Sequence, residues 1–260
     1  MADPMHQFEV HKIVDLPDIP TPWGAIDMSI TNSTVAMMIS AAAIIGVMGI
    51  VTAKPAVVPG RLQSFGEMLF GLIDNLADSI IGHEGRKFFP FVLTLFLFIL
   101  AMNFLGLFLV FTATSQLAIT ATFALMVFFL VLGVGFARNG LGFFKLFVPS
   151  GVPGPLIPAI FLIEVLSFLL RPVTLALRLF GNMLGGHVAL KVFAGFVVSL
   201  GALASTGGLG TLAILPAIAS LGGVIALTAL EFLVAFLQAF VFTVLTCIYL
   251  NDVVNLGHGH

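Results

Sequence analysis

The chain has 260 residues, of which 60% are hydrophobic and 8% are Asp, Glu, Lys or Arg, with a formal net charge of −2. A soluble domain carries roughly 25% charged residues, so this composition excludes one and indicates an all-α polytopic membrane protein. The few charges form no basic tract of the kind that meets nucleic acid, and the single cysteine, Cys247, excludes an internal disulfide or a cysteine-rich metal site.

Residues 1–32 are polar and proline-rich, with no apolar run of the signal-peptide type. A helix crossing a hydrocarbon core of ~30 Å needs about 20 apolar residues. The first such run is 33–53. Residues 61–87 differ in kind: Phe65, Met68, Leu69, Leu72, Ile73, Leu76 and Ile80 recur at three- and four-residue spacings among Glu67, Asp74, Asn75 and Asp78. That pattern predicts one amphipathic helix in the membrane interface. Two further spans, 88–112 and 117–137, form a hairpin within 88–137, and the glycines and prolines of 139–158 predict a loop with a short re-entrant or surface piece. The remainder, 158–252, reads as two helices of some 40 residues joined at Ser205-Thr206-Gly207-Gly208-Leu209-Gly210. Each would be about 60 Å long, twice the bilayer thickness, and must tilt or bend. Pro172 and Pro216 are the expected bend points. The terminal Gly257-His258-Gly259-His260 reads as a chain end rather than a metal site, and neither metal nor cofactor is expected.

Lys54, Arg61, Arg86 and Lys87 flank the first long loop, and Arg138 and Lys145 lie in the loop after the third span. The positive-inside rule places both loops in the cytoplasm or matrix. The N-terminus is then external, and five crossings return the C-terminus to the cytoplasmic side.

Arg178 is the most informative residue. A guanidinium stays protonated at physiological pH, and at a bilayer centre it costs at least ~2.5–3.5 kcal/mol. Glu164, Ser167, Arg171, Thr174, Arg178, Asn182 and Gly185 recur at three- and four-residue spacings and so share one helix face, while His187 points away from it. On the last helix Glu231, Ala235, Gln238, Thr246 and Tyr249 run roughly along another stripe, closed by Asp252. Individual hydroxyls such as those of Ser167, Thr174 and Thr246 are equally well explained as interhelical glue. A carboxylate and an imidazole in an apolar setting are what a proton relay requires.

The chain resembles subunit a of the F-type ATP synthases, in an α-proteobacterial or mitochondrial-like form. The likeness covers nearly its whole length. It is carried by Asp3-Pro4-Met5-His6-Gln7-Phe8, Met102-Asn103-Phe104-Leu105-Gly106-Leu107, the stretch 164–174, Leu177-Arg178-Leu179-Phe180-Gly181-Asn182-Met183 and Leu237-Gln238-Ala239-Phe240-Val241-Phe242. The resemblance implies a stator beside a ring of c subunits, with b-type peripheral-stalk and other FoF1 subunits and membrane lipid as further partners. Arg178 matches the essential arginine facing the ring carboxylate, Asn182 and Gln238 match its polar neighbours, and Glu164 matches an acidic position on the cytoplasmic access route. His187 and Glu231 stand where many bacterial relatives have Glu and His, an exchange which implies that the two meet across the helix hairpin. Arg171 stands where relatives often have Lys, and Gly106 where some have Asp. Ser167, Thr174, Asn103 and Tyr249 are secondary members of the same path.

The implied mechanism is proton transfer through two half-channels, with no ATP-site chemistry on this chain, since nothing in it resembles a phosphate-binding loop. A Na⁺-coupled version of the same subunit is the main alternative. A secondary transporter would be expected to show paired half-repeats, and none is found. A non-catalytic scaffold would need no intramembrane Glu, His and Arg together. Leu175 and Gly181 are expected on the ring-facing side, with Val188 turned away.

Overall fold

The computed structural model describes residues 11–15, 17, 19–21, 24–26, 29–53, 56–108, 112–148, 154–205 and 212–256. Six α-helices dominate these residues: α1 (Asn32–Thr52), α2 (Arg61–Ile81), α3 (Phe89–Phe108), α4 (Leu117–Asn139), α5 (Ile157–Ser205) and α6 (Ile214–Val254). Five helical segments are long and apolar enough to cross a membrane, α2 being the helix that is not among them. The resemblance segment 3–8, Lys54, the turn at 206–210 and the terminal 257–260 lie outside the described residues.

The amino-terminal segment holds four short strands, which the sequence pattern does not announce. β1 (Lys12–Val14) pairs antiparallel with β4 (Ile30–Thr31), and β2 (Ile19–Thr21) pairs with β3 (Gly24–Ile26). Strands of two or three residues are too short to show a period. Thr31 then caps α1, its hydroxyl accepting from the Thr34 amide at 3.4 Å.

Helix α2 differs from the predicted single helix over 61–87. It stops at Ile81, because Gly82 takes φ +76°, a conformation side chains resist, and a 3-10 segment Gly82–Lys87 follows. Ile73, Ala77 and Ile81 are buried and Leu69, Leu72, Leu76 and Ile80 pack beside them, while Phe65 and Met68 stay exposed. Helix α4 ends the same way, at Gly140 with φ +52°, and the predicted loop opens with a 3-10 segment, Gly140–Phe147. Phe143 and Phe147 are buried there and meet Phe136 and Phe168 edge-on or tilted, closing the base of α4 against α5.

Helix α6 is the hub, packing against α2, α3, α4 and α5. Its buried residues Glu231, Ala235, Gln238, Ala239, Phe242, Thr243, Thr246, Cys247, Leu250, Val253 and Val254 recur at helical spacing from near its midpoint to its end. Cys247 is a fully buried packing residue. The long helices measure 49 and 41 residues, about 74 and 62 Å at 1.5 Å per residue. Pro172 lies inside α5 and is buried. Pro216 does not act as a bend point: it is the third residue of α6, in the first turn, where a missing N–H removes no helical hydrogen bond.

Side chains staple one end of the bundle. Arg138 and Lys87 both engage the Glu84 carboxylate, Lys87 at 3.0 Å. Asn139 donates to the Val253 carbonyl at 2.7 Å and Asn255 to the Ile81 carbonyl at 3.1 Å. The guanidinium and ammonium hold the exposed Glu84 carboxyl below its ordinary pKa. The ends of α2, α4 and α6 and the start of α3 thus meet at one level, which carries Lys87 and Arg138, one cation from each basic loop.

Candidate functional site

Arg178 lies on the outward face of α5, not in the packed interior. With it on that exposed face are Thr174, Leu177, Gly181, Asn182 and Gly185. A Cβ added at Gly181 or Gly185 would meet nothing within 4 Å, so the surface beside the guanidinium is low and open. The inward face of α5 is Phe168, Pro172, Leu175, Ala176, Leu179 and Met183. Leu175, expected on the same side as Gly181, is 1% exposed and belongs to this inward face. Its three-residue offset from Arg178 turns it about 60° away, enough to cross the edge of the stripe. Arg178 makes no hydrogen bond or ion pair with a described residue. For a permanent cation on an apolar helix, that leaves its charge directed outward.

Behind Arg178, α5 meets α6 through a polar seam. Asn182 Nδ2 donates to Gln238 Oε1 at 2.7 Å, and Asn103 of α3 donates to the Ala235 carbonyl at 3.1 Å. Gln238, Asn103 and Glu231 are 4%, 0% and 8% exposed. Yet Gln238 Nε2, Asn103 Oδ1 and both Glu231 carboxylate oxygens have no hydrogen-bond partner among the described residues. Each buried unsatisfied group costs about 1–3 kcal/mol, so several along one seam need a functional reason. Glu231 lies against the bare backbone of Gly186, where a Cβ would stand 2.6 Å from Glu231 Oε1 and force the carboxylate to shift. His187, the next residue, instead places Nε2 2.9 Å from the hydroxyl of Thr112, which precedes a short 3-10 turn at Ala113–Ser115. The hairpin therefore brings His187 and Glu231 to one level without a hydrogen bond between them. The expected meeting across the hairpin takes the form of proximity through Gly186, with the imidazole bonded to Thr112 and the carboxylate without a hydrogen-bond partner among the described residues.

Toward the stapled end, Arg171 and Asp252 join α5 to α6 with a 2.7 Å salt bridge, both side chains about a quarter exposed. The Arg171 guanidinium also sits over the rings of Tyr249 at 4.8 Å and Phe168 at 5.4 Å. Ser167, Arg171 and Thr174 line a shallow depression on the outer face of α5. Thr174 Oγ1 is bonded to its own helix, at the Arg171 carbonyl. Glu164, one turn further out, is half-buried and makes no hydrogen bond or ion pair with a described residue. Arg178 thus stands about 10 Å along α5 from Arg171 and about 14 Å from His187, between two polar groups which the helix keeps apart.

Two of these contacts escape a reading by period. The Thr112–His187 bond spans a 3-10 turn too short to predict, though a hydroxyl in a gap between spans was the available signal. The pairing of Asp252 with Arg171 joins residues far apart in the chain, and the signal was two opposite charges at the two ends of one long hairpin.

The family model described as "ATP synthase A chain" matches residues 34–251. Among similar proteins, the "ATP synthase subunit a" of Rhizobium leguminosarum bv. trifolii (strain WSM2304) is 51% identical over 259 residues, covering 99% of each chain. The proteins of the same name from Chelativorans sp. (strain BNC1) and Rhodopseudomonas palustris (strain TIE-1) are 50% and 51% identical over 258 residues, with 99% of this chain covered in each case. A family match across the spans, the long hairpin and the residues around Arg178 settles the membership, and this chain belongs to the ATP synthase A chain family.

Proposed function

We propose that this multi-pass membrane protein is the proton-translocating stator subunit of the Fo sector, and that it couples proton motive force to rotary ATP synthesis. The observation that carries the reading is Arg178, a permanent cation on a bare face of small residues, set between two separate polar groups. On the external side the path runs past His187 and past Glu231, Asn103 and Gln238, whose buried unpaired groups water and a moving proton would satisfy. On the cytoplasmic side it runs past Glu164, with Ser167, Thr174, Arg171 and Tyr249 beside it. A c-ring carboxylate opposite Arg178 is held ionised. Once protonated it loses that attraction and can rotate into lipid without the cost of a buried charge. Arg178 and Asn182–Gln238 close the direct route between the two sides. Each proton gains about 2.3 kcal/mol per 100 mV of potential. ATP chemistry belongs to other FoF1 subunits, and b-type stalk subunits hold this chain against ring torque. The protein lies in a bacterial or mitochondrial inner membrane, with the stapled, cationic end cytoplasmic and the amino terminus external.

The Na⁺-coupled alternative separates cleanly in an ATP-driven assay. Vesicles carrying the whole complex are expected to acidify inside in Na⁺-free buffer, and added Na⁺ is expected to leave the rate unchanged. Acidification that requires Na⁺, or no acidification from an assembled, ATP-hydrolysing complex, would overturn the proton reading.

The level shared by His187 and Glu231 gives a second expectation. If both serve one path, the losses in His187→Ala and Glu231→Ala are non-additive, and the double variant conducts about as poorly as the worse single one. Fully multiplicative losses in ATP-driven proton flux would mean that the two act independently.

A further inference from the structure

Thr112 has no place in the path proposed above, yet among the described residues it holds the one hydrogen bond to the His187 ring. Its hydroxyl has a second contact, 3.1 Å from the carbonyl oxygen of Gly106. Gly106 is in the last turn of α3, where carbonyls find no partner further along the helix, and it is buried. A carbonyl can only accept, and a hydroxyl has one proton. That proton goes to Gly106, so Thr112 Oγ1 meets His187 Nε2 as an acceptor, and Nε2 must carry hydrogen. The fit is tight. A Cβ at position 106 would stand 2.5 Å from Thr112 Cγ2 and 3.0 Å from its oxygen, so a side chain there displaces the hydroxyl.

We propose that Thr112 is a positioning residue which locks His187 in the Nε2–H tautomer, so that Nδ1 is the nitrogen that takes up and gives up the transported proton. The inference rests on the reading of His187 as a member of the proton path. On protonation Nδ1 gains hydrogen while Nε2–H keeps donating to Thr112. On release the same tautomer returns, and the ring neither flips nor passes the proton through to Nε2. Lys191 on α5 and Glu231 on α6 are the charged groups near the ring. Helices α1 and α3 and the Ala113–Ser115 turn bring none. A fixed tautomer makes His187 a one-sided exchanger, because both uptake and release occur at the same ring edge.

The test uses the assembled complex in its membrane. Thr112→Val keeps the shape and removes the hydroxyl, and Thr112→Ser keeps the hydroxyl. ATP-driven proton flux in the Val variant is expected to fall about three- to tenfold, the effect of one hydrogen bond, and its pH profile to shift. Both are expected to return in the Ser variant. Solid-state ¹⁵N spectra of histidine-labelled wild-type complex, with the His187 signal assigned by its loss in His187→Gln, are expected to show protonated Nε2 and bare Nδ1 in the neutral ring. That measurement stands even if the Val variant fails to assemble. A neutral His187 protonated at Nδ1 would overturn the proposal, as would a Val variant with wild-type flux and pH profile. Normal flux in the His187→Gln complex would instead remove His187 from the path, and the functional reading with it, whatever its tautomer.

Discussion

Replacing Arg178 with alanine is expected to abolish both ATP synthesis and ATP-driven proton pumping while the complex still assembles. Assembly should survive because the guanidinium makes no ion pair or hydrogen bond with a described residue and lies on the exposed face of α5, so truncation leaves no cavity. Transport should fail because an ionised ring carboxylate entering the stator interface loses its counter-charge. An uncompensated charge at that depth costs ~2.5–3.5 kcal/mol at the least, which lowers its population about a hundredfold. Arg178→Lys is expected to fail as well. The ammonium is a compact, strongly hydrated charge that can neutralise on burial, and it lacks the planar, permanently charged fork. The measurements are ATP synthesis under an imposed potential and dye quenching during ATP hydrolysis, in vesicles whose content of this chain is matched by immunoblot. Normal synthesis by the Lys variant would sink the assigned role.

Much of the architecture is legible because lipid imposes a simple rule: long apolar runs become helices, and five of them are found. Where glycine intervenes the reading loses accuracy. The apolar period of α2 runs out at Ile81, and the expected helix over 61–87 is divided where the backbone at Gly82 turns to φ +76°. Proline misleads in another way. Pro216 matters as a bend only if it lies well inside a helix, and the short apolar stretch between Gly210 and Pro216 does not say at which residue α6 starts. For the site, helical spacing correctly groups the α5 residues around Arg178 but does not say which edge of the stripe is inward. That depends on how α4 and α6 pack against α5, and it puts Leu175 inside. The His187 and Glu231 pair shows the same limit. Sequence exchange implies proximity, and proximity is found, through Gly186. The hydrogen bond itself goes to Thr112, which only the folded chain brings near.

The burial of Leu175 reshapes the experiment that would locate the ring. Leu177, Gly181 and Gly185 share the exposed face of Arg178, whereas Leu175 packs against the interior at 1% exposure. Cys247 is fully buried, so the native chain serves as background for added thiols. In a complex whose c subunits carry one cysteine a turn from the ring carboxylate, Leu177→Cys and Gly181→Cys are expected to give an a–c cross-link on mild oxidation. Leu175→Cys is expected to give none, and Val188→Cys, ten positions past Arg178 and half-buried, little. The contrast should be nearly all-or-none, because a disulfide tolerates Cα separations of only about 4.4–6.8 Å. A ring helix can come that close to Gly181, where no side chain stands in the way, just as small residues allow close approach of helices in lipid. It cannot do so at Leu175 without first separating α5 from its own bundle. Efficient linking from Leu175 or Val188 with none from Leu177 and Gly181 would place the ring on the other side of α5. Arg178 would then point away from the carboxylate it is proposed to meet, and the two half-channels would need a different barrier.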